Sequence, residues 1–226
     1  MRVDVAFTPS EAVSAPVGIV VDVLRATSTI AQALAAGYPR VLCCREIEDA
    51  RALREELGEG LLGGERNAVQ IEGFDVGASP REFLEPRPET LILSTTNGTA
   101  AILTAAERCE EVLLGSLLNL RAVASAAQER GRDVAVVCAG FQGRFALDDA
   151  YCAGRIVELL EADRGDGALA AALVADAFSD AAAGLNARTY GPPGLEEDIA
   201  WCARESVVDA VPRFVGMVGP AAEIRL

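Results

Sequence analysis

The sequence predicts an α/β protein, a three-layer α/β/α arrangement around a mostly parallel or mixed sheet, in which β/α units recur as an approximate internal duplication. Three short apolar runs, Val17 to Val21, Leu91 to Leu93 and Val134 to Val137, each lead into a polar loop and then an Ala-rich helical pattern, the order of a βα unit. Hydrophobic residues make up 51% of the chain and aromatic ones only 5%, so the core must come from Ala, Val, Leu and Ile, as in a helix-covered sheet. The 226 residues suit a single α/β domain over 1–226, with two similar packed halves, about 1–80 and 81–226, as its internal division.

The first apolar run passes through Asp22-Val-Leu-Arg-Ala-Thr-Ser-Thr into a helix near Ile30 to Ala36, stopped by Gly37 and Pro39. The second passes through Ser94-Thr-Thr-Asn-Gly-Thr into a helix near Ala100 to Arg108. A second strand candidate follows each helix, Arg40 to Cys44 and Glu111 to Gly115, and then a second helix opening near Glu46 or Ser116. The segments Thr27 to Leu53 and Thr96 to Val123 thus share one plan at similar length, although any parallel crossover needs a strand, a cap and a helix. Between them, Gly63 to Pro80 is too Gly-rich and charged for a core element and reads as a functional loop. After the third run come Arg144, Asp148-Asp149 and a helix to about Glu161. The last third reads as Ala-rich helix, a Gly191-Pro-Pro-Gly194 turn, a helix near Glu196 to Asp209 and a strand-like tail, with little that suggests chemistry.

Twenty arginines against 34 acids give a net charge of −14, which repels phosphodiester backbones and anionic lipid, so neither nucleic acid nor membrane is an expected partner. The chain contains no Lys and no His, which removes phosphohistidine, Ser-His-Asp, Schiff-base and Walker-loop chemistry together. Carboxylates, thiols, phenols and hydroxyls remain for acid-base or metal work. The six cysteines lack CxxC spacing and lie mostly in apolar runs, as reduced core thiols do. No basic segment leads into a signal-length apolar run, and no run reaches about 18 apolar residues, so the cytoplasm is the expected compartment.

Ligands of open α/β sheets bind beyond the carboxyl ends of parallel strands, so the loops after the three apolar runs are expected on one rim. Asp22 follows Val-Gly-Ile-Val-Val and is costly to bury unless it meets a cation or a donor; it reads as metal ligand, nucleophile or helix cap. Thr27, Ser28, Thr95, Asn97, Gly98 and Thr99 precede helix starts, where they serve as ordinary caps or as an anion cradle. Arg25 and Arg66 sit in loops, where a guanidinium fork matches phosphate or sulfonate oxygens. Glu65, Glu72 and Asp75 offer oxygen ligands for a hard cation, and Asp148-Asp149 offer either ligands or acids for a helix N-terminus. Cys138 to Arg144 fits Cys-x5-Arg, the phosphate loop of cysteine-dependent phosphatases, but no His precedes the Cys and no Ser or Thr follows the Arg. Asp22 lacks the second Asp two residues on that haloacid-dehalogenase-type chemistry requires.

The ordered set Asp22-Val-Leu-Arg-Ala-Thr-Ser-Thr, Gly64-Glu-Arg, Ile71-Glu-Gly-Phe-Asp, Thr95-Thr-Asn-Gly-Thr and Cys138-Ala-Gly through Gly143-Arg-Phe-Ala-Leu-Asp-Asp resembles the 2-phosphosulfolactate phosphatase family. The resemblance is strong from Val17 to Gly154 and looser beyond, where Asp198-Ile199 and Cys202 carry it. It implies an α/β/α fold, dependence on Mg²⁺, and hydrolysis of phosphosulfolactate to sulfolactate and phosphate on the route to coenzyme M. On that reading the partner is a small phosphorylated and sulfonated acid, and a homodimer is compatible with it. Mg²⁺ would rest on carboxylates drawn from Asp22, Glu65, Asp75 and Asp149, with Arg25, Arg66 and Arg144 clamping phosphate and the second anion and with water or Asp22 as nucleophile. Two other readings use the same residues: a non-catalytic small-anion binder, and a cysteine-dependent phosphatase built on Cys138 and Arg144.

Overall fold

The valine-rich runs form the central strands, because β-branched side chains fit a sheet covered on both faces. The computed structural model describes residues 1–11, 13–189 and 193–226, so part of the Gly191 to Gly194 turn lies outside the described residues. In chain order the elements are β1 (Arg2–Ala6), β2 (Val17–Val21), α1 (Ala26–Ala36), β3 (Val41–Cys44), α2 (Ile47–Leu57), β4 (Leu61–Arg66), β5 (Val69–Gln70), β6 (Leu91–Ser94), α3 (Gly98–Arg108) and β7 (Glu111–Gly115). They continue with α4 (Leu120–Arg130), β8 (Val134–Cys138), α5 (Leu147–Glu158), β9 (Asp163–Arg164), α6 (Asp166–Asp176), α7 (Ala181–Asn186), α8 (Glu196–Cys202), β10 (Arg213–Val218) and β11 (Ala221–Arg225).

Among the described residues, one sheet of 11 strands runs in the order β5-β4-β6-β3-β11-β10-β7-β2-β8-β1-β9. Strands β4, β6 and β3 are mutually parallel, and so are β7, β2, β8 and β1. The hairpin β10-β11 joins the two blocks with antiparallel pairing on both sides, so strand direction reverses between them. The order reads alike from either end: β4-β6-β3-β11 answers β8-β2-β7-β10. The unit β2-α1-β3-α2-β4 is matched by β6-α3-β7-α4-β8, each lending its first strand to the other's block.

Helices α1 and α3 are the crossovers between blocks, and one apolar cluster holds them against both. Ile30, Leu34, Ala101 and Ile102 meet Val20, Leu114 and Val137 from one block and Cys43, Leu91 and Leu93 from the other. Sandwiched in this way, α1 is buried along Ala26 to Leu34, Thr27, Ser28 and Thr29 included. On the opposite faces, α4, α5 and α6 cover Val17, Ile19 and Val21, and α2 covers Leu42, Leu62 and Ile92. These are the three layers expected. Among the described residues, no helix is long and apolar enough to cross a membrane.

Three expectations change. Gly63 and Gly64 belong to the inner strand β4 rather than to a loop: Gly64 has φ +157 and any Cβ there would collide with the Ser94 carbonyl, so only glycine permits that approach. Helix α1 begins at Ala26, four residues early, because the Thr27 and Ser28 hydroxyls donate to the carbonyls of Asp22 and Val23 at 2.9 and 2.8 Å and satisfy the turn themselves. Helix α8 ends at Cys202, after which the chain turns to β7, where Pro212 accepts the N–H of Leu114 at 2.8 Å.

Candidate active site

The loops after β2, β6 and β8, together with the end of β4, enclose one cavity holding about 710 Å³ of non-protein space including its mouth. A flat parallel sheet would gather these loops on a single rim, and the reversal at β10-β11 rules that geometry out here. The loops entering α1 and α3 nevertheless meet at one cavity, which residues of both line. Asp22, Arg25, Glu65, Thr95, Asn97 and Asp149 all line the cavity.

Asp22 is the first residue beyond β2 and is 8% exposed. Its Oδ1 accepts the Ala26 N–H at 3.3 Å, while the Thr27 hydroxyl accepts the Asp22 N–H at 3.1 Å and donates to its carbonyl. Gly98 packs against its other side, where an added Cβ would stand 2.9 Å from Oδ2. Asp149, on the first turn of α5, ties two loops together: Oδ1 accepts the Val23 N–H and Oδ2 the Gly140 N–H, each at 2.9 Å. Asp148 beside it also faces the cavity. Glu65 fastens a third pair of segments, its Oε1 accepting both the N–H and the hydroxyl of Thr96 at 2.9 Å and its Oε2 the Ala68 N–H at 2.7 Å.

Crowding acids into a dry site disfavours their charged forms. Burial pushes Asp22 up to about 7, helped by the charges of Glu65 and Asp148 and opposed by the Ala26 N–H and Arg25. Burial likewise raises Asp149 well above the ordinary carboxylate range, with Asp148 and Asp22 adding to the rise and the Val23 and Gly140 N–H groups opposing it. Asp148 is raised by burial and drawn back by backbone N–H groups and by Arg188.

Two arginines bring positive charge to these acids. Arg25 heads α1 and is held by Asp198 of α8 at 2.6 Å and by the Ala68 carbonyl at 3.1 Å. Arg188, beyond α7, also lines the cavity and acts on Asp148. Its sequence context gives one faint signal, an arginine with no acid from 184 to 192, and no motif marks it. Leu24, Phe141, Ala146 and Leu195 supply apolar wall.

Other residues singled out in the sequence lie elsewhere. Thr27 and Ser28 are fully buried behind Asp22, and with Ala26 and Thr27 N–H groups already given to Asp22 they form no anion cradle. Thr99 is buried against Thr95 and the Cys44 carbonyl, each at 3.4 Å, and Gly98 gives close packing against Asp22. Arg66 turns away, donating to the carbonyls of Glu65 and Arg45 at 2.8 Å and to the Ser94 hydroxyl at 2.9 Å. Arg144 is exposed on the turn it closes with Phe141. Asp75 is exposed outside the cavity, accepting the Leu62 N–H at 2.8 Å and Arg54 at 3.2 Å, and Glu72 is exposed as well. Cys138 is wholly buried in β8, and burial pushes its thiol well above the ordinary range, which leaves it no nucleophilic thiolate.

Among the described residues, no three acids, thiols or imidazoles stand close enough to form a complete metal cage. Mg²⁺ does not need one, since it keeps its waters and binds through one or two carboxylates plus phosphate oxygens. Asp22, Asp148 and Asp149 are each raised by burial, and the charge of Asp148 adds to the rise at the other two, so these are the acids whose desolvation a cation would relieve. The residues lining the cavity offer oxygen donors and neither thiol nor imidazole, the ligand type of a hard cation rather than a soft one.

A family profile described as 2-phosphosulpholactate phosphatase matches residues 5–216. The chain is 39% identical over 233 residues to a probable 2-phosphosulfolactate phosphatase of Thermus thermophilus, covering 98% of each chain. It is 38% identical over 224 residues to one of Thermotoga petrophila, covering 96% of each, and 37% identical over 221 residues to one of Deinococcus radiodurans, covering 92% of each.

Proposed function

The chain belongs to the 2-phosphosulfolactate phosphatase family, and on that premise we propose that it is a magnesium-dependent phosphoric monoester hydrolase acting on a small, doubly anionic hydroxy acid. The names of its relatives point to 2-phosphosulfolactate, giving sulfolactate and phosphate, as the substrate. The observation that carries the reading is Asp22: a buried acid ionising near neutral pH faces an arginine-bearing cavity in a chain of net charge −14. An overall field of that sign repels a polyanion, so a site for one must supply local positive charge.

Hydrolysis forms a bond from water oxygen to phosphorus and breaks the bond from phosphorus to the ester oxygen. One proton leaves the water and one reaches the departing alkoxide. Enzymes accelerate this reaction by up to ~10²¹, about 29 kcal/mol at 1.36 kcal/mol per decade. A helix N-terminus contributes only about 0.3–2 kcal/mol, so fixed charge must supply most of the rest. Arg25 and Arg188 hold the phosphate and the second anion, and their forks match phosphoryl and sulfonyl oxygens. A cavity carboxylate takes the proton of the attacking water, while the alkoxide is protonated from solvent. Glu65 and Asp149 keep the loops in place through the backbone N–H groups they accept. A bound Mg²⁺, held by Asp22 with the α5 acids Asp148 and Asp149, would neutralise charge on the phosphoryl oxygens. Leu24, Phe141 and Leu195 limit water around the reacting group.

Release of inorganic phosphate from a panel of phosphorylated hydroxy acids, after chelation and again with Mg²⁺ restored, tests the proposal. Turnover that disappears in chelator and returns with Mg²⁺ supports it. Binding of the same acids without turnover would leave only an anion-binding protein.

A further inference from the structure

Asp198 lies on α8, in the third of the chain whose sequence offers least chemistry, yet its carboxylate is buried behind the cavity wall. Its Oδ2 accepts Nη1 of Arg25 at 2.6 Å, and its Oδ1 accepts the Ser79 hydroxyl at 2.5 Å. The Arg25 and Asp198 side chains are 9% and 8% exposed. Arg81, which also pairs with Glu197, approaches Oδ1 at 3.9 Å. Arg25 is gripped a second time where its Nη2 donates to the Ala68 carbonyl, leaving its remaining N–H groups for a ligand.

A buried ion pair contributes little net stability compared with an apolar replacement, so holding the fold together is a weak account of this one. It does fix a planar fork in one orientation before any anion arrives. Asn67, Ala68 and Ala78 line the cavity, and the pair reaches both ends of that stretch, Arg25 at Ala68 and Asp198 at Ser79.

We propose that Asp198 is a positioning residue for the hydrolysis, aiming the Arg25 guanidinium into the cavity through their buried pair. This rests on the phosphatase reading of the same cavity. The test measures kcat and KM on 2-phosphosulfolactate with saturating Mg²⁺ for the parent, Arg25→Ala, Asp198→Asn and the double variant. Misplacing a catalytic group by about 1 Å can cost roughly 100-fold, so Asp198→Asn should lower kcat by about that factor. Arg25→Ala should cost at least as much, and the double variant should be no worse than Arg25→Ala alone. Asp198→Glu should recover part of the loss. Multiplying losses, or an Asp198→Asn enzyme within about threefold of the parent, would overturn the positioning role and leave the reading of the cavity intact. An Arg25→Ala enzyme as active as the parent would overturn both. If Asp198→Asn does not fold, Ser79→Ala decides: a loss that vanishes in the Arg25→Ala background supports the proposal, and no loss contradicts it.

Discussion

The loops entering α1 and α3 occupy matching places in the two halves of the sheet, meet at the cavity, and use similar side chains for opposite ends. After β2, the Thr27 and Ser28 hydroxyls turn inward to the chain's own carbonyls and build the turn that holds Asp22. After β6, Thr95, Thr96 and Asn97 line the cavity, and Thr96 is pinned by Glu65 from β4. The difference follows from what each loop presents. A buried acid must have its backbone fixed around it, and hydroxyls do that in one loop; the other has no acid, and its hydroxyls pair with side chains instead, Thr96 with Glu65 and Thr95 with Thr99. Capping-type residues before a helix therefore identify a loop that needs polar satisfaction, and only the neighbouring acid tells which way they face.

Substitutions in the two loops should separate accordingly. The largest effect is expected for Asp22→Asn, which keeps shape and removes the titrating group: kcat should fall by about 10³-fold with the fold intact, and retained turnover would remove Asp22 from the chemistry. Arg188→Ala should raise KM by about 10- to 100-fold, the value of a charge-assisted hydrogen bond, with kcat less affected. Thr96→Val should lower kcat/KM with little change in melting temperature. Thr27→Val should do the reverse, costing about 1–2 kcal/mol of stability with turnover per folded molecule near that of the parent. If both variants lost activity alike, the division between the loops would be wrong. Cys138→Ser should have the smallest effect, within a few-fold in turnover.

The acid loop should also show in the pH dependence of stability. Because the folded-state pKa of Asp22 is raised from 3.8 to about 7, its contribution favours the folded chain fully below pH 3.8 and is lost as pH rises through about 7. The metal-free protein should therefore melt at progressively lower temperature across that window, and Asp22→Asn should flatten the slope. Mg²⁺ should raise the melting temperature more at pH 8 than at pH 5, since the ion competes with the proton for the same acids. A slope unchanged by Asp22→Asn would show that the acid does not carry this energy.

The core strands were legible because Val17 to Val21, Leu91 to Ser94 and Val134 to Cys138 are buried on both faces and so read as continuous apolar runs. Strand β1 was not, since Arg2 and Asp4 interrupt it, and β4 was hidden by the glycines that its tight packing requires. The reversal between blocks is a pairing choice made by the C-terminal hairpin, which no local pattern encodes. In the cavity, Asp22, Arg25, Glu65, Thr95, Asn97 and Asp149 stood out as polar residues after apolar runs or among glycines, although Asp22, Thr95, Asn97 and Asp149 read equally as helix caps. Arg66, Arg144 and Asp75 looked alike in sequence and lie outside it, because neighbouring side chains face opposite sides of a strand or turn. Arg188, just beyond α7, and Asp198, on α8, come from a distant part of the chain, a placement visible only in three dimensions.

The central claim is that the junction of these two loops holds a cation beside Asp22 and an anion beside Arg25 and Arg188. Anomalous diffraction from crystals soaked in Mn²⁺ and inorganic phosphate tests it most directly. The account predicts a manganese peak coordinated by Asp22 with Asp148 or Asp149, and phosphate bridging that peak to the arginines. Manganese bound elsewhere, with neither ion in the cavity of an enzyme that turns over with Mn²⁺, would contradict it.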